Sequence, residues 1–342
     1  MSRLRFLYAS AAVVALAAVS IALAACGGGS DKSGESAEAV LQEATLQGIE
    51  SGKIDLSLGI EAPGAEGGNL DVGLSGAFQG EGKGSLPQLD MTAKAKGRFN
   101  GNDVDFEGGL VLLPNSAYVN YEGTEYEVDP TTFSFVEQTL KQAQREGGAE
   151  TGSAGVAACQ EEFGKLEVAD FLENGNNEGS ADVGGTSTTK VSGDLNTLGA
   201  IDSLLEVVES AACRTQLAAA GPLPSQAEID KAKGEVSDAV KAAHVDVYVG
   251  NDDIVRQISA QLTIEPQNGG SGPKSAEIDL DLKLTEVNDE EKISAPENAK
   301  PLSRLFIKLG INPIELLGLL QGEGGGESLG ELFEGLGEAA GQ

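Results

Sequence analysis

Apolar and polar residues alternate with period two along much of the first half of the chain. Ile54, Leu56, Leu58 and Ile60 alternate with Lys53, Asp55, Ser57 and Gly59. Leu70, Val72, Leu74 and Phe78 alternate with Asp71, Gly73 and Ser75. Leu89, Met91, Ala93, Ala95 and Phe99 face away from Asp90, Thr92, Lys94, Lys96 and Arg98. Asn100-Gly101 is a tight hairpin pair, and Val104, Phe106, Leu110 and Leu112 resume beyond it. Tyr118, Val119 and Tyr121 lead to Glu122-Gly123, with Tyr126 and Val128 after that turn. One apolar face per strand predicts a sheet that is wet on one side and covered on the other. Short links predict antiparallel neighbours.

Helical spacing interrupts this pattern. Val40, Leu41, Ala44 and Ile49 predict a short helix over 37–50. Asp129-Pro130 reads as an N-cap followed by a first-turn proline, opening a helix with Phe133, Val136 and Leu140 on one face. A loose Gly/Ala/Ser-rich stretch covers 147–157, and a helix is expected over 160–173 with Phe163, Leu166, Val168 and Phe171 partly buried. Asn174 to Gly179 reads as a turn, 186–195 as a strand, and Leu198 to about Cys213 as a helix. After Gly221-Pro222, Ser225 and Glu228 fit a capping box before Ile229, Ala232, Val236 and Val240. Three closing strands follow, marked by Val245/Val247/Val249, Ile258/Ala260/Leu262/Ile264 and Ile278/Leu280/Leu282/Leu284. Asn251-Asp252-Asp253 turns between the first two. Short Leu/Ile-rich helices are expected over 301–321, and a Gly/Glu-rich tail, read as disordered, over 322–342. This order of elements predicts an α+β fold with one antiparallel sheet and helices on its apolar face.

The N-terminus carries a different pattern. Arg3 and Arg5 precede an apolar run from Phe6 to Ala22, and Leu23-Ala24-Ala25-Cys26 closes it. A basic start, an apolar middle and small residues before a cut predict an export signal over 1–25. The closing tetrapeptide resembles the lipobox of bacterial lipoproteins. That resemblance implies acylation of the Cys26 sulfur and cleavage before Cys26. A transmembrane anchor is the alternative, since the run is roughly as long as a membrane helix. Residues 26–36 then form a flexible tether and 37–321 the folded domain. The chain is expected on the outer face of the cytoplasmic membrane, held there by lipid.

Charge narrows the partners. The chain has 54 acidic against 23 basic residues, a net charge of -31, which argues against nucleic acid and against headgroup-driven binding to anionic membranes. Tryptophan is absent, so the core must rest on Leu, Ile, Val and a few Phe. With Cys26 acylated, Cys159 and Cys213 remain as a pair, and an oxidising compartment favours one disulfide between them. It would contribute about 4 kcal/mol by loop closure. Two separate buried thiols are the alternative.

Catalytic chemistry finds little footing. His244 is the one histidine, with no cysteine cluster for zinc and no G-x-S-x-G elbow for a nucleophile. The Asp252-Asp253 and Asp289-Glu290-Glu291 runs read as solvated turns without EF-hand spacing. No P-loop ending follows the glycine-rich stretches. No enzyme activity, metal or cofactor is expected.

Taken over nearly its full length, the chain resembles the LolA/LppX-like bacterial lipid carriers, and more narrowly the LppX/LprAFG lipoproteins of actinobacteria. The resemblance rests on the lipobox, the strand series 53–128 and the insert opening at Asp129-Pro130. It rests also on Gly185-Thr186 to Gly193-Asp194-Leu195, on His244-Val245-Asp246-Val247-Tyr248-Val249 with Ile258-Ser259-Ala260-Gln261-Leu262, and on Ile293-Ser294-Ala295-Pro296. It implies a single curved antiparallel half-barrel sheet with helices packed on its concave apolar face, enclosing a cavity for acylated lipids or lipoglycans. It also implies movement of that cargo through the envelope, with a transporter as a possible partner. The expected lining is Leu56, Leu58, Leu70, Val72, Leu74, Phe78, Met91, Leu110, Leu112, Phe133 and Val136. The same apolar faces would equally pack a dry core, which leaves a ligand-free envelope scaffold or adhesion protein as the alternative. A hydrolase is a weaker third reading.

Overall fold

The computed structural model describes Lys32 and residues 34–63, 68–80, 86–99, 102–134, 162, 166, 168–210, 213–214, 233–234, 239–265 and 275–310. Among the described residues, twelve strands form one curved, unclosed sheet. They are β1 (Ser51–Ala62), β2 (Gly68–Gln79), β3 (Gln88–Phe99), β4 (Asn102–Leu113), β5 (Ser116–Tyr121), β6 (Thr124–Glu127), β7 (Leu172–Val183), β8 (Thr186–Leu195), β9 (Val240–Gly250), β10 (Val255–Ile264), β11 (Ala276–Thr285) and β12 (Lys300–Pro301). Their spatial order is β12-β6-β5-β4-β3-β2-β1-β11-β10-β9-β8-β7. Every pairing is antiparallel except the short parallel contact of β12 with β6. The α+β reading of the sequence stands.

Register converts the period-two pattern into apolar rows that cross the sheet. One row runs Gly108, Ala93, Leu74, Leu56, Leu282, Ile258, Val247 and Val191, from β4 to β8. The next runs Phe106, Ala95, Val72, Leu58, Leu280, Ala260 and Val245. A slip of one residue in any strand would turn its whole apolar set to the other face, so these rows hold the register. Gly76 and Gly97 lie in the interior of such rows with φ of 156° and 155°. A Cβ on Gly76 would strike the carbonyl of Asp90, and one on Gly97 the carbonyl of Asn69. Glycine lets the strands approach and bend there.

Among the described residues, α1 (Ala37–Glu43), α2 (Thr197–Glu209) and α3 (Ser303–Leu309) accompany the sheet, with a 3-10 helix at Val168–Phe171 and a helical turn at 130–134. The side chain of Ser36 caps α1 by accepting from the Ala39 N–H at 3.2 Å. Asn196 caps α2 in the same way through Gly199 N–H at 2.9 Å. Gly310, in the left-handed region at φ 69°, ends α3. Asp129 caps residues 130–134 as expected, accepting from the N–H groups of Thr131 at 3.1 Å and Thr132 at 3.0 Å. Its carboxyl is held below the usual range by the Thr132 hydroxyl and these N–H groups, against the opposing effect of burial.

Three expectations about element bounds need correction, the first being that Val240, expected on the helix after Ser225, opens β9 and pairs with Ile264. The helix over 37–50 stops at Glu43, because Thr45 leaves it to pair with the β9–β10 turn. Thr45 N–H donates to Asp253 O at 2.8 Å and Thr45 O accepts from Val255 N–H at 2.9 Å. The turn expected at Asn174–Gly179 lies instead inside β7, an edge strand with register shifts after Glu173 and Asn177. Asn174 at φ 54° and Gly179 at φ 88° supply the left-handed residues that gave the segment a turn-like composition. The helix expected over 160–173 is described only at Glu162, Leu166 and the 3-10 helix. Residues 1–31, Val136, Leu140, 147–157, Cys159, Phe163, 221–232, Val236 and 311–342 lie outside the described residues.

Candidate functional site

The apolar face of the sheet is covered unevenly. Over β8 and β9 it is sealed, and over β10 in part: α1 sets Ala37, Val40 and Leu41 against Val191, Val245, Val247, Val249, Val255 and Ala260, while Ile258 and Leu262 of β10 stay partly buried. Val40, Val191 and Val249 are wholly buried. Leu172 of β7 and Ala169 of the 3-10 helix pack at the margin of this cluster. A second cluster, Ile49, Ile54, Ile254 and Leu284, continues it to β1 and β11.

Over β2, β3 and β4 the same face is not sealed. Leu70, Val72, Leu74, Phe78 and Met91 are only half-buried. Phe106 is 44% and Leu110 is 40% exposed, although both lie in apolar rows. Large exposed apolar side chains in register with a core are the informative kind of exception, because isolated ones need no explanation. Ala93, Ala95, Gly97 and Gly108 lie between them, so the rows narrow to small side chains across β3 and β4. By side-chain size alone this part of the face forms a trough, with large apolar residues on β2 and at Phe106 and Leu110 bordering the small ones.

Of the residues expected to line a cavity, Leu56, Leu58, Leu70, Val72, Leu74, Phe78, Met91, Leu110 and Leu112 share this face by register. Leu56 is buried, at 7% exposed, nearer the sealed side. Phe133 is also buried, but on residues 130–134 beyond β6, outside the rows. Val136 and Cys26 lie outside the described residues. Cys213 is buried beside Val207 and Leu166 and is disulfide-bonded, whereas Cys159 lies outside the described residues. The sequence reading overlooked Phe106 as a lining candidate; its place in the alternation was the available sign.

At the β4–β6 edge burial is no longer one-sided. Val111 and Tyr118, paired with each other and pointing to the opposite face from Leu110 and Val119, are 9% and 8% exposed. The expectation of one uniformly wet face fails there.

The polar face carries charge ladders. Lys190 pairs with Asp246 at 3.0 Å and lies 5.7 Å from the centre of the Tyr248 ring. The hydroxyl of Ser192 donates to Asp246, and His244 Nε2 lies 3.4 Å from the same carboxylate. Serine and histidine thus both address one carboxylate, and the histidine does not stand between the other two as a catalytic relay requires. Burial pushes the Asp246 carboxyl up, yet Ser192 and Lys190 outweigh it and hold the pKa below the usual range. A shallow hollow of about 510 Å³ on this face is lined by Lys53, Asp55, Ser75, Asp90, Thr92 and Lys283, among others. Among the described residues no group of three metal-ligating side chains occurs, and no helix is long and apolar enough to cross a membrane.

A second hollow, of about 540 Å³, lies at the β6–β12 edge and is lined by Tyr126, Ala299, Lys300, Pro301 and Arg304. Nearby, Lys308 pairs with Glu122 and lies 5.0 Å from the centre of the Tyr121 ring.

No protein-family model and no curated protein matches the chain. Among solved structures it is similar to LprF from Mycobacterium bovis, at 12% identity, covering 79% of this chain and 99% of that one with a TM-score of 0.32. It is similar also to the lipoprotein LppX of Mycobacterium tuberculosis, at 9% identity, 75% and 98% coverage and a TM-score of 0.26. A DUF1329 family protein from Desulfovibrio piger matches at 9% identity, 75% and 92% coverage and a TM-score of 0.18.

Proposed function

We propose that the chain is a lipid-anchored extracytoplasmic lipoprotein that binds acylated lipids or lipoglycans on the apolar face of its sheet and carries them through the cell envelope. The observation that carries this reading is the contrast within single apolar rows. Val191 and Val247 are 0% and 1% exposed, whereas Leu74 in their row stays half-buried and Phe106 and Leu110 beside it are 44% and 40% exposed. An acyl chain laid along the open rows would gain about 0.8 kcal/mol for each CH₂ removed from water. Binding is passive in this scheme: chains leave the bilayer, occupy the trough and are released elsewhere. Acylation of Cys26 supplies the anchor, and a disulfide between Cys159 and Cys213 braces the helical side. The chain is not an enzyme in this reading.

The test is extraction of the folded domain, produced without residues 1–26 in a lipid-rich bacterial host, followed by native mass spectrometry. Co-purifying diacyl or triacyl lipid near one per chain supports the carrier. A stably folded, lipid-free protein favours the scaffold instead.

A further inference from the structure

At the β6–β12 edge three cations stand beside Glu122, Glu125 and Glu127, in a chain whose net charge is -31. Lys300, Arg304 and Lys308 follow one another at intervals of four residues along β12 and α3. Lys308 is already occupied by Glu122. Lys300 and Arg304 are exposed and have no ion-pair partner among the described residues, and both border the hollow of about 540 Å³ with Tyr126. Glu127, which faces Pro301 in the register, pairs with neither. Lys96, Lys283 and Lys292 also lack an ion-pair partner among the described residues; Lys300 and Arg304 differ from them in lining one hollow together.

Position adds to charge. Tyr126 pairs with Val119, Val119 with Leu110, and Leu110 with Met91, so the wall of the hollow continues one of the apolar rows. Lys308 lies over Tyr121, whose partner Gly108 belongs to the floor of the trough. Ile307, on the same helix as Arg304, is 76% exposed. The unpaired cations therefore stand at the rim of the open apolar half of the sheet, next to an apolar side chain free to meet lipid.

We infer that Lys300 and Arg304, with the phenol of Tyr126, form the seat for the phosphate headgroup of an anionic acylated lipid whose chains lie in the trough. This rests on the carrier reading and narrows its cargo. A guanidinium presents two parallel N–H donors that match phosphate oxygens, an ammonium adds a point charge, and a phenol adds a neutral donor. The binding energy is then divided: apolar rows hold the chains regardless of headgroup, and the rim selects for negative charge.

The experiment follows uptake of lipids with the same fluorescent acyl chain, phosphatidylglycerol and diacylglycerol, from donor vesicles by the full chain anchored in neutral vesicles. The wild-type chain is expected to prefer phosphatidylglycerol by about tenfold or more, with the preference fading at high salt. Lys300→Gln with Arg304→Gln should abolish the preference and leave diacylglycerol uptake and the thermal midpoint unchanged. Equal uptake of both lipids by the wild-type chain, or equal loss of both in the variant, overturns the inference while the carrier reading stands. Uptake of neither lipid overturns both. Millimolar inorganic phosphate that competes as well as the lipid overturns the lipid source and assigns the seat to a free anion.

Discussion

The ammonium of Lys32 is paired with the carboxylate of Asp253, 221 residues further along the chain. It also reaches Glu43 at 2.7 Å, and its side chain is only 4% exposed. Asn177 Nδ2 donates to the carbonyls of Lys32 at 3.0 Å and Glu35 at 2.9 Å. The chain is thus fastened to the sheet six positions after Cys26, within the segment that the sequence reads as tether. Six extended residues reach at most about 20 Å, so an acylated Cys26 would hold this side of the sheet close to the membrane surface.

Replacing Lys32 by Met leaves Asp253 and Glu43 facing each other without their shared cation. The expected loss is about 1–3 kcal/mol, at the lower end because Glu43 is largely exposed. Urea unfolding of the variant measures it; an unchanged midpoint would show that the pair contributes nothing net.

Gly76→Ala places a methyl against the Asp90 carbonyl at a backbone angle that L-residues rarely adopt. The expected cost is about 2–4 kcal/mol, read from thermal or urea unfolding. Gly123→Ala is the control: its Cβ would meet nothing, so only the strain of φ 70°, about 1 kcal/mol, is expected.

Asp246→Asn tests the polar face. The native carboxyl is held below its ordinary pKa, so its contribution is present above the unfolded-state value of about 4 and fades as pH falls through the lower folded value. The variant should therefore be less stable than the parent at pH 7, with the gap closing in acid. A gap that stays constant from neutral to strongly acidic pH would assign the effect to lost packing.

Leu74→Trp fills the trough where its row narrows to Ala93 and Gly108. Lipid uptake should fall while the fold survives, as followed by far-UV circular dichroism and vesicle transfer. Unchanged uptake would show that the chains do not pass over Leu74.

The strands were legible where one face is apolar throughout. Thr186–Leu195 emerged with the bounds expected for it, and β1 to β4, β9, β10 and β11 stand where alternation placed them. What stayed hidden depends on long-range partners. β7 reads Leu-Glu-Asn-Gly-Asn-Asn-Glu-Gly and has little apolar alternation; its pairing with β8 makes it a strand. The end of α1 is set by Thr45 bonding to Asp253 and Val255, which no local pattern announces. For the site, alternation gave the shared face of Leu70, Val72, Leu74 and Leu110 but not which half of the sheet α1 covers. The rim cations were invisible as a group, because β12 brings Lys300 beside Tyr126 only through a parallel contact across 174 residues.

In the proposed carrier the open apolar rows hold the acyl chains. Native mass spectrometry of the domain without residues 1–26, before and after organic extraction, addresses it most directly. A lipid carrier is expected to show a mass excess of one acylated lipid per chain that extraction removes. A folded protein at its bare polypeptide mass, from a host rich in such lipids, would contradict it.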